Sequence, residues 1–303
     1  MSPVRFGLFL ALCLPASAGL AANTVYRWTD AQGNVHYGDQ VTGSARGVQS
    51  FHVTPPGPEA MAELQVERDG EGSVVYVVNQ LAGPLEIDLS FDDASNARAT
   101  PTLPIHELVA GNQRRRIARI DPADPDHDSH YTLNLSNIPG SPSALARDVA
   151  YNLPVDEGSA WQLGQIFHGG FSHTDEQNRY AVDLIAPVGT PVLAARGGVV
   201  MQVQSGFDRS GLDKDKYAER ANYIRILHDD GSMGLYAHLK QDGVMVRVGQ
   251  TVSLGQLIGY TGNTGFSSGP HLHFCVQVNR GMRLVSIPFR MVGPDGFLPL
   301  PSR

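Results

Sequence analysis

Six of the eleven histidines of this 303-residue chain fall after Trp161, in a segment of short β-rich runs and dense glycine. The run S-S-G-P-H-L-H-F is the most informative. On a strand, residues two apart share a face, so His271 and His273 are predicted to project together while Leu272 and Phe274 face the core. Neutral imidazole is a common zinc ligand, and two side by side become a metal site when a carboxylate and a third nitrogen complete the set. Taken alone, the pair describes surface histidines equally well. In Y-A-V-D-L, period 2 places Tyr180, Val182 and Leu184 on one face and Ala181 with Asp183 on the other, aiming a carboxylate at a site. In Y-A-H-L, the same alternation puts Tyr236 and His238 on one face and Ala237 with Leu239 opposite. Three separate strands thus each offer a metal-capable or proton-transferring side chain, a convergence that chance explains poorly.

These groups need a scaffold, and the composition indicates one that is mainly β. The 33 glycines and 20 prolines favour many short strands joined by turns over a helical bundle. With 23 Lys plus Arg against 30 Asp plus Glu, the formal charge is -7, leaving no broad basic surface for nucleic acid or anionic lipid. Residues 1–22 carry Arg5, the apolar run Phe6 to Leu14, Pro15 and a small-residue tail, the pattern of a secretory signal peptide. The apolar run is too short for a membrane span. Leu12 precedes Cys13 where a lipoprotein signal carries a small residue, so lipidation is not expected. Loss of that segment leaves Cys275 as the sole thiol and excludes an internal disulfide.

Residues 23–60 read as a small module, a β-hairpin turning at Gly33 and Asn34, packed by Tyr26, Trp28 and Tyr37, then a Gly/Pro-rich linker from Thr42 to Ala60. Residues 61–155 read as an antiparallel β-sandwich-like domain. Leu85, Ile87, Leu89 and Phe91 alternate with Glu86, Asp88, Ser90 and Asp92, and similar runs recur at Val74 to Val78, Ile117 to Ile120 and Tyr131 to Leu135. No active-site pattern occurs there. Arg114 to Arg116 read as a solvated strand or loop, and His127 with His130 as an exposed loop. His106-Glu107 lacks the second histidine of H-E-x-x-H, since Ala110 occupies that place.

The motifs from Ser172 onward, with G-T-P-V-L-A-A-R-G-G-V-V and G-Q-L-I-G-Y-T-G-N-T-G between them, resemble the lysostaphin-type, LytM-like zinc endopeptidases that cut peptidoglycan cross-links. The resemblance spans about residues 161 to 285, with five motifs in family order, and implies a β-rich peptidase domain of duplicated hybrid motif type over residues 156–303. By position it implies that His173, Asp183 and His273 hold one zinc ion and that His238 and His271 are non-ligand catalytic histidines. The chain departs from many members in one respect. Nine residues, Thr174 to Val182, separate His173 from Asp183 where those members have three. His168 is the nearby rival for the first ligand, and lies farther from the Asp183 strand. The N-terminal module is similar to a small uncharacterised domain that opens many exported proteobacterial proteins, which implies a periplasmic or envelope location and protein partners there.

The expected activity is therefore hydrolysis of peptidoglycan stem-peptide cross-links. The alternative is a LytM-type adaptor, silent or latent, that activates other cell-wall hydrolases. Two ring nitrogens and one carboxylate leave a fourth tetrahedral position for water, as a catalytic zinc requires. Cys275 is not needed as a ligand and reads as a small buried strand residue. Tyr236 is open to two readings, groove wall or core. The loop G-Y-T-G-N-T-G-F-S-S-G-P lacks the G-K-[ST] of a phosphate-binding loop and is expected to wall a peptide groove, bordered by a mobile insertion at Ser205 to Asn222. Asn222 and His228 are taken as structural.

Overall fold

The computed structural model describes residues 23–29, 35–38, 46–53 and 59–301, the first three segments by their backbone. The expected signal peptide and the hairpin turn lie outside the described residues. Two compact units result, 1–57 and 58–303. In the first, Asn23–Thr29 pairs antiparallel with Val35–Gly38, as the hairpin signal predicts. Its other edge pairs with Arg46–Val53. That strand lies inside the stretch expected to be linker, where the flanking glycines and prolines obscure the extended run V-Q-S-F-H-V.

The second unit opens with a β-sandwich. Ala62–Asp69, Gly72–Asn79, Arg114–Pro122 and Ala97–Thr100 form one sheet, and His130–Pro139, Leu85–Ser95 and Ile105–Val109 form the other. Val75 and Val77 of the first sheet meet Leu85, Ile87 and Leu89 of the second, all fully buried. The alternation read from the sequence therefore holds on the inner face. On the outer face it fails at Glu86, which is 2% exposed. The Glu86 carboxylate accepts from Asn279 Nδ2 at 2.7 Å and Met282 N at 2.6 Å, and pairs with His106 Nε2 at 2.6 Å. Burial alone raises this carboxyl, but those bonds outweigh it and hold it below its ordinary range. Met201, Met233 and Leu284, from the C-terminal region, complete the sandwich core. The face a polar alternation assigns to water is here covered by the following region of the same unit.

That region is built on an eight-stranded sheet. Its path runs Gln162–Leu163, Ala181–Ile185, His271–Asn279, Met233–Ala237, Tyr223–Leu227, Gly198–Gln204 and Thr251–Val252, with Leu284–Ile287 added to His271–Asn279. One face packs Val182, Leu184, Ile224, Ile226, Leu272 and Phe274 into a core closed by Leu239 and Ile258 of a smaller three-stranded sheet. Tyr151, Leu153 and Val155 belong to this core although they precede the glycine-rich segment. Among the described residues, no helix is long and apolar enough to cross a membrane.

His228 is buried beside this sheet. Its Nδ1 donates to Gly197 O at 2.8 Å, and burial pushes its pKa from 6.5 down to about 4. The unfolded chain takes up this proton between pH 6.5 and 4 while the folded chain excludes it, so stability falls as pH drops through that window. The expected loss from this residue is roughly 3 kcal/mol across it. Melting temperature followed against pH in the natural chain and in His228→Gln checks this. A slope equally steep in the variant contradicts it.

Candidate metal centre and groove

The centre lies on the face of the large sheet opposite its core, across three adjacent strands. Antiparallel register places Asp183 directly opposite His273, and Ala237 on its other side. His273 Nδ1 lies 3.0 Å from Asp183 Oδ1, and His173 Nε2 lies 3.1 Å from the same oxygen. The candidate ligand atoms of His173, Asp183 and His273 all fall within 4.8 Å of one another, and all three residues are buried. His173 comes from the loop before Asp183, whose nine intervening residues double back to bring the two together. His168, the rival, is exposed, has φ +62°, and turns its ring against Tyr180 at 5.0 Å.

Hydrogen bonding at the far side of each group shows that the set fits a cation. His173 Nδ1 donates to Ile166 O at 2.9 Å, which turns the Nε2 lone pair inward. His273 Nε2 lies 3.2 Å from Asn178 Oδ1, which leaves Nδ1 bare. Gln165 Nε2 donates to Asp183 Oδ2 at 2.9 Å, which leaves Oδ1 for the centre. Two lone pairs then face an anionic oxygen, an arrangement stable only around a positive charge, either protons or a metal ion. Burial alone raises the Asp183 carboxyl, but where protons supply that positive charge the bonds then donated by His173 and His273 outweigh it and hold it well below the carboxylate range. Burial lowers His173, yet its bond to Asp183 raises it overall.

His271 and His238 stand beside this trio. His271 Nδ1 donates to Gly269 O at 2.8 Å, and its Nε2 is 3.8 Å from Asp183 Oδ1. His238 Nδ1 donates to Thr264 O at 2.7 Å, and the His238 and His271 rings lie 4.6 Å apart between centroids. Both therefore keep a bare Nε2. Burial lowers the pKa of both, that of His238 to about 3 with help from the neighbouring His271 and His273. Both rings are thereby held neutral near pH 7.

The alternation predicted for Y-A-H-L does not hold. Strand Met233–Ala237 ends before His238, whose φ of +62° reverses the chain and swings its ring to the face opposite Tyr236. A left-handed histidine costs on the order of 1–3 kcal/mol, a strain of the sort found at functional sites. Tyr236 is fully buried with its hydroxyl accepting from Ala195 N at 2.8 Å, so it belongs to the core and not to the groove. Cys275 is fully buried, its thiol pushed up to about 12 by burial, and it stands outside the ligand set.

A groove of about 440 Å³ opens over Asp183, His238 and His271, walled by Phe171, Ile185 and Phe266. The Phe171 and Phe266 rings stack at 5.7 Å and 10°. Phe266 belongs to the glycine-rich loop, which therefore does wall the groove. The bordering segment expected as a mobile insertion is tied into the fold. Ser210–Gly211 pairs with Gly265–Phe266, and Asn222 Nδ2 donates to Phe207 O at 2.7 Å. Gly265 has φ +79°, and a Cβ there would meet Ala221 at 2.7 Å. Away from the groove, Arg115 pairs with Glu107 at 2.6 Å and His127 with Asp124 at 2.8 Å. The sequence reading missed Gln165, which joins Asp183 to the Phe171 backbone N at 3.1 Å, and no local pattern in the chain marks it.

Fold and site together describe a β-rich domain with a candidate metal centre and a histidine-lined groove. Residues 177–284 match the model of Peptidase family M23, and residues 10–65 that of a domain of unknown function, DUF4124. The chain thus carries a peptidase family M23 domain with lysostaphin-like relatives, and a DUF4124 domain upstream of it. The peptidoglycan DD-endopeptidase ShyA of Vibrio cholerae is 36% identical over 124 residues, 40% of this chain and 25% of that protein. Lysostaphin of Staphylococcus simulans is 38% identical over 101 residues, 33% of this chain and 18% of its own length. The solved catalytic domain of lysostaphin from Staphylococcus simulans is 32% identical, with 43% of this chain and 78% of that one covered and a TM-score of 0.28. The chain spans a quarter or less of the length of these curated relatives.

Proposed function

We propose that this chain is an exported zinc endopeptidase that hydrolyses peptide cross-links of bacterial peptidoglycan in the periplasm or cell envelope. One observation carries the reading: three inward-facing ligand atoms lie beside two neutral histidines with bare Nε2 atoms, and Asp183, His238 and His271 of this cluster line one groove. His173, Asp183 and His273 would hold the metal, which when bound polarises the scissile carbonyl and acidifies water. One of His271 and His238 accepts the proton of the attacking water, and that proton is then delivered to the leaving amine. Phe171, Phe266 and Ile185 seat an extended peptide of small residues. The bond proposed is the D-alanyl cross-link to a diamino acid, supported by the envelope-type N-terminal domain and the DD-endopeptidase relative. A silent adaptor needs none of the five site residues, and here all five are present, the four histidines each with one bare ring nitrogen.

The test is digestion of purified peptidoglycan by the chain, with and without a zinc chelator, followed by separation of cross-linked from monomeric muropeptides. Loss of cross-links that the chelator blocks and added zinc restores is the expected result. Undiminished cross-links with zinc bound one to one would overturn the enzymatic reading in favour of the adaptor.

A further inference from the structure

The loop between His173 and Asp183 is longer than the resemblance leads one to expect, and its extra residues are anchored to the strand bearing His273 and to the adjacent strand Leu284–Ile287. Gln177 O accepts from Gln277 Nε2 at 2.9 Å and lies 3.7 Å from Cys275 Sγ. Glu176 O accepts from Ser286 N at 2.7 Å and Ser286 Oγ at 3.0 Å. These contacts place Asn178 against the outer edge of the His273 ring, with Oδ1 3.2 Å from Nε2.

The orientation of the Asn178 amide follows from its other partner. Its Nδ2 lies 2.9 Å from Asp175 Oδ1 and 3.2 Å from Asp175 Oδ2. A carboxylate only accepts, so the amide must turn its NH2 to Asp175 and its oxygen to His273. Asp175 is itself fixed, since its Oδ1 accepts from the backbone N of Gln177 and of Asn178, each at 3.0 Å. An acceptor at Nε2 admits one neutral tautomer of His273, with the proton on Nε2 and the lone pair on Nδ1, the atom that faces Asp183. His173 reaches the opposite tautomer through Ile166 O. Two histidines of one centre are thus set in opposite tautomers, one by a backbone carbonyl and the other by a side-chain relay.

We propose that Asp175 and Asn178 are positioning residues that set the tautomer and ring orientation of His273 and thereby the metal affinity of the centre. This rests on the proposed metal-dependent reading of the same site. Partners at the far nitrogen of a ligating histidine typically contribute about 10- to 100-fold in metal affinity. The purely structural alternative is that Asp175 and Asn178 do no more than shape a turn.

The test is competitive zinc titration of the full chain in four forms: natural, Asn178→Ala, Asp175→Asn, and Asp175→Asn with Asn178→Asp. Melting temperatures of the metal-free proteins are measured in parallel. Asn178→Ala is expected to weaken zinc binding about 10- to 100-fold. Asp175→Asn removes the rule that orients the amide and weakens binding less. The double variant exchanges donor and acceptor within the relay and restores natural affinity. Unchanged zinc affinity in folded Asn178→Ala, with only a lower melting temperature, overturns the proposal, as does a double variant as weak as Asn178→Ala. Absence of zinc binding by the natural chain overturns the metal reading itself, a result distinct from failure of the relay alone.

Discussion

Replacing Asp183 by alanine is expected to abolish zinc binding and cross-link cleavage together. Its Oδ1 is the one anionic atom in the ligand set, and His173 and His273 both converge on it at 3.1 and 3.0 Å. Without it, two neutral imidazoles remain in a buried pocket, and a dication there lacks charge compensation. A bound metal supplies several kcal/mol of transition-state charge stabilisation, so its loss costs at least about a thousandfold in rate. Zinc content after dialysis, with muropeptide release, checks both parts. Asp183→Asn separates charge from shape, because the amide keeps the volume while losing the negative oxygen. Full zinc content in either variant contradicts the assignment of Asp183 as ligand.

Replacing His271 by alanine is expected to lower turnover about 10²- to 10⁴-fold, the range for loss of a positioned acid or base, while leaving one zinc bound. Its Nε2 faces the centre but stands 3.8 Å from Asp183 Oδ1, farther than the ring nitrogens of His173 and His273. Its Nδ1 is occupied by Gly269 O. The ring is therefore free to exchange a proton at Nε2 without entering the ligand set. Equal zinc loss in His271→Ala and Asp183→Ala would overturn this division of ligand and catalyst. Turnover that survives His271→Ala but fails in His238→Ala would transfer the proton-exchange role to His238.

Much of this centre is legible in the chain because β periodicity acts over two residues. H-L-H and A-V-D each specify which side chains leave the core, and strands Ala181–Ile185 and His271–Asn279 obey both patterns. The sandwich is legible for the same reason. The failures share one cause, a contact made by residues distant in sequence. Glu86 reads as solvent-facing until the segment around Asn279 and Met282, 193 and 196 residues later, covers it. His238 reads as a face partner of Tyr236 until the bond to Thr264 O holds it at positive φ. The strand Arg46–Val53 reads as linker until Asn23–Thr29 pairs with it.

By itself the sequence determined the chemistry on offer: which strands carry imidazole and carboxylate, and which of their neighbours belong to the core. Those properties depend on side-chain type and on alternation between adjacent residues. Only the tertiary structure decided which nitrogen of each histidine is bare, through Ile166, Asn178, Gly269 and Thr264, and which oxygen of Asp183 is free, through Gln165. A tautomer is chosen by the hydrogen-bond partner at the opposite ring nitrogen, and these partners lie 2 to 95 residues away, brought into place by sheet pairing and loop closure.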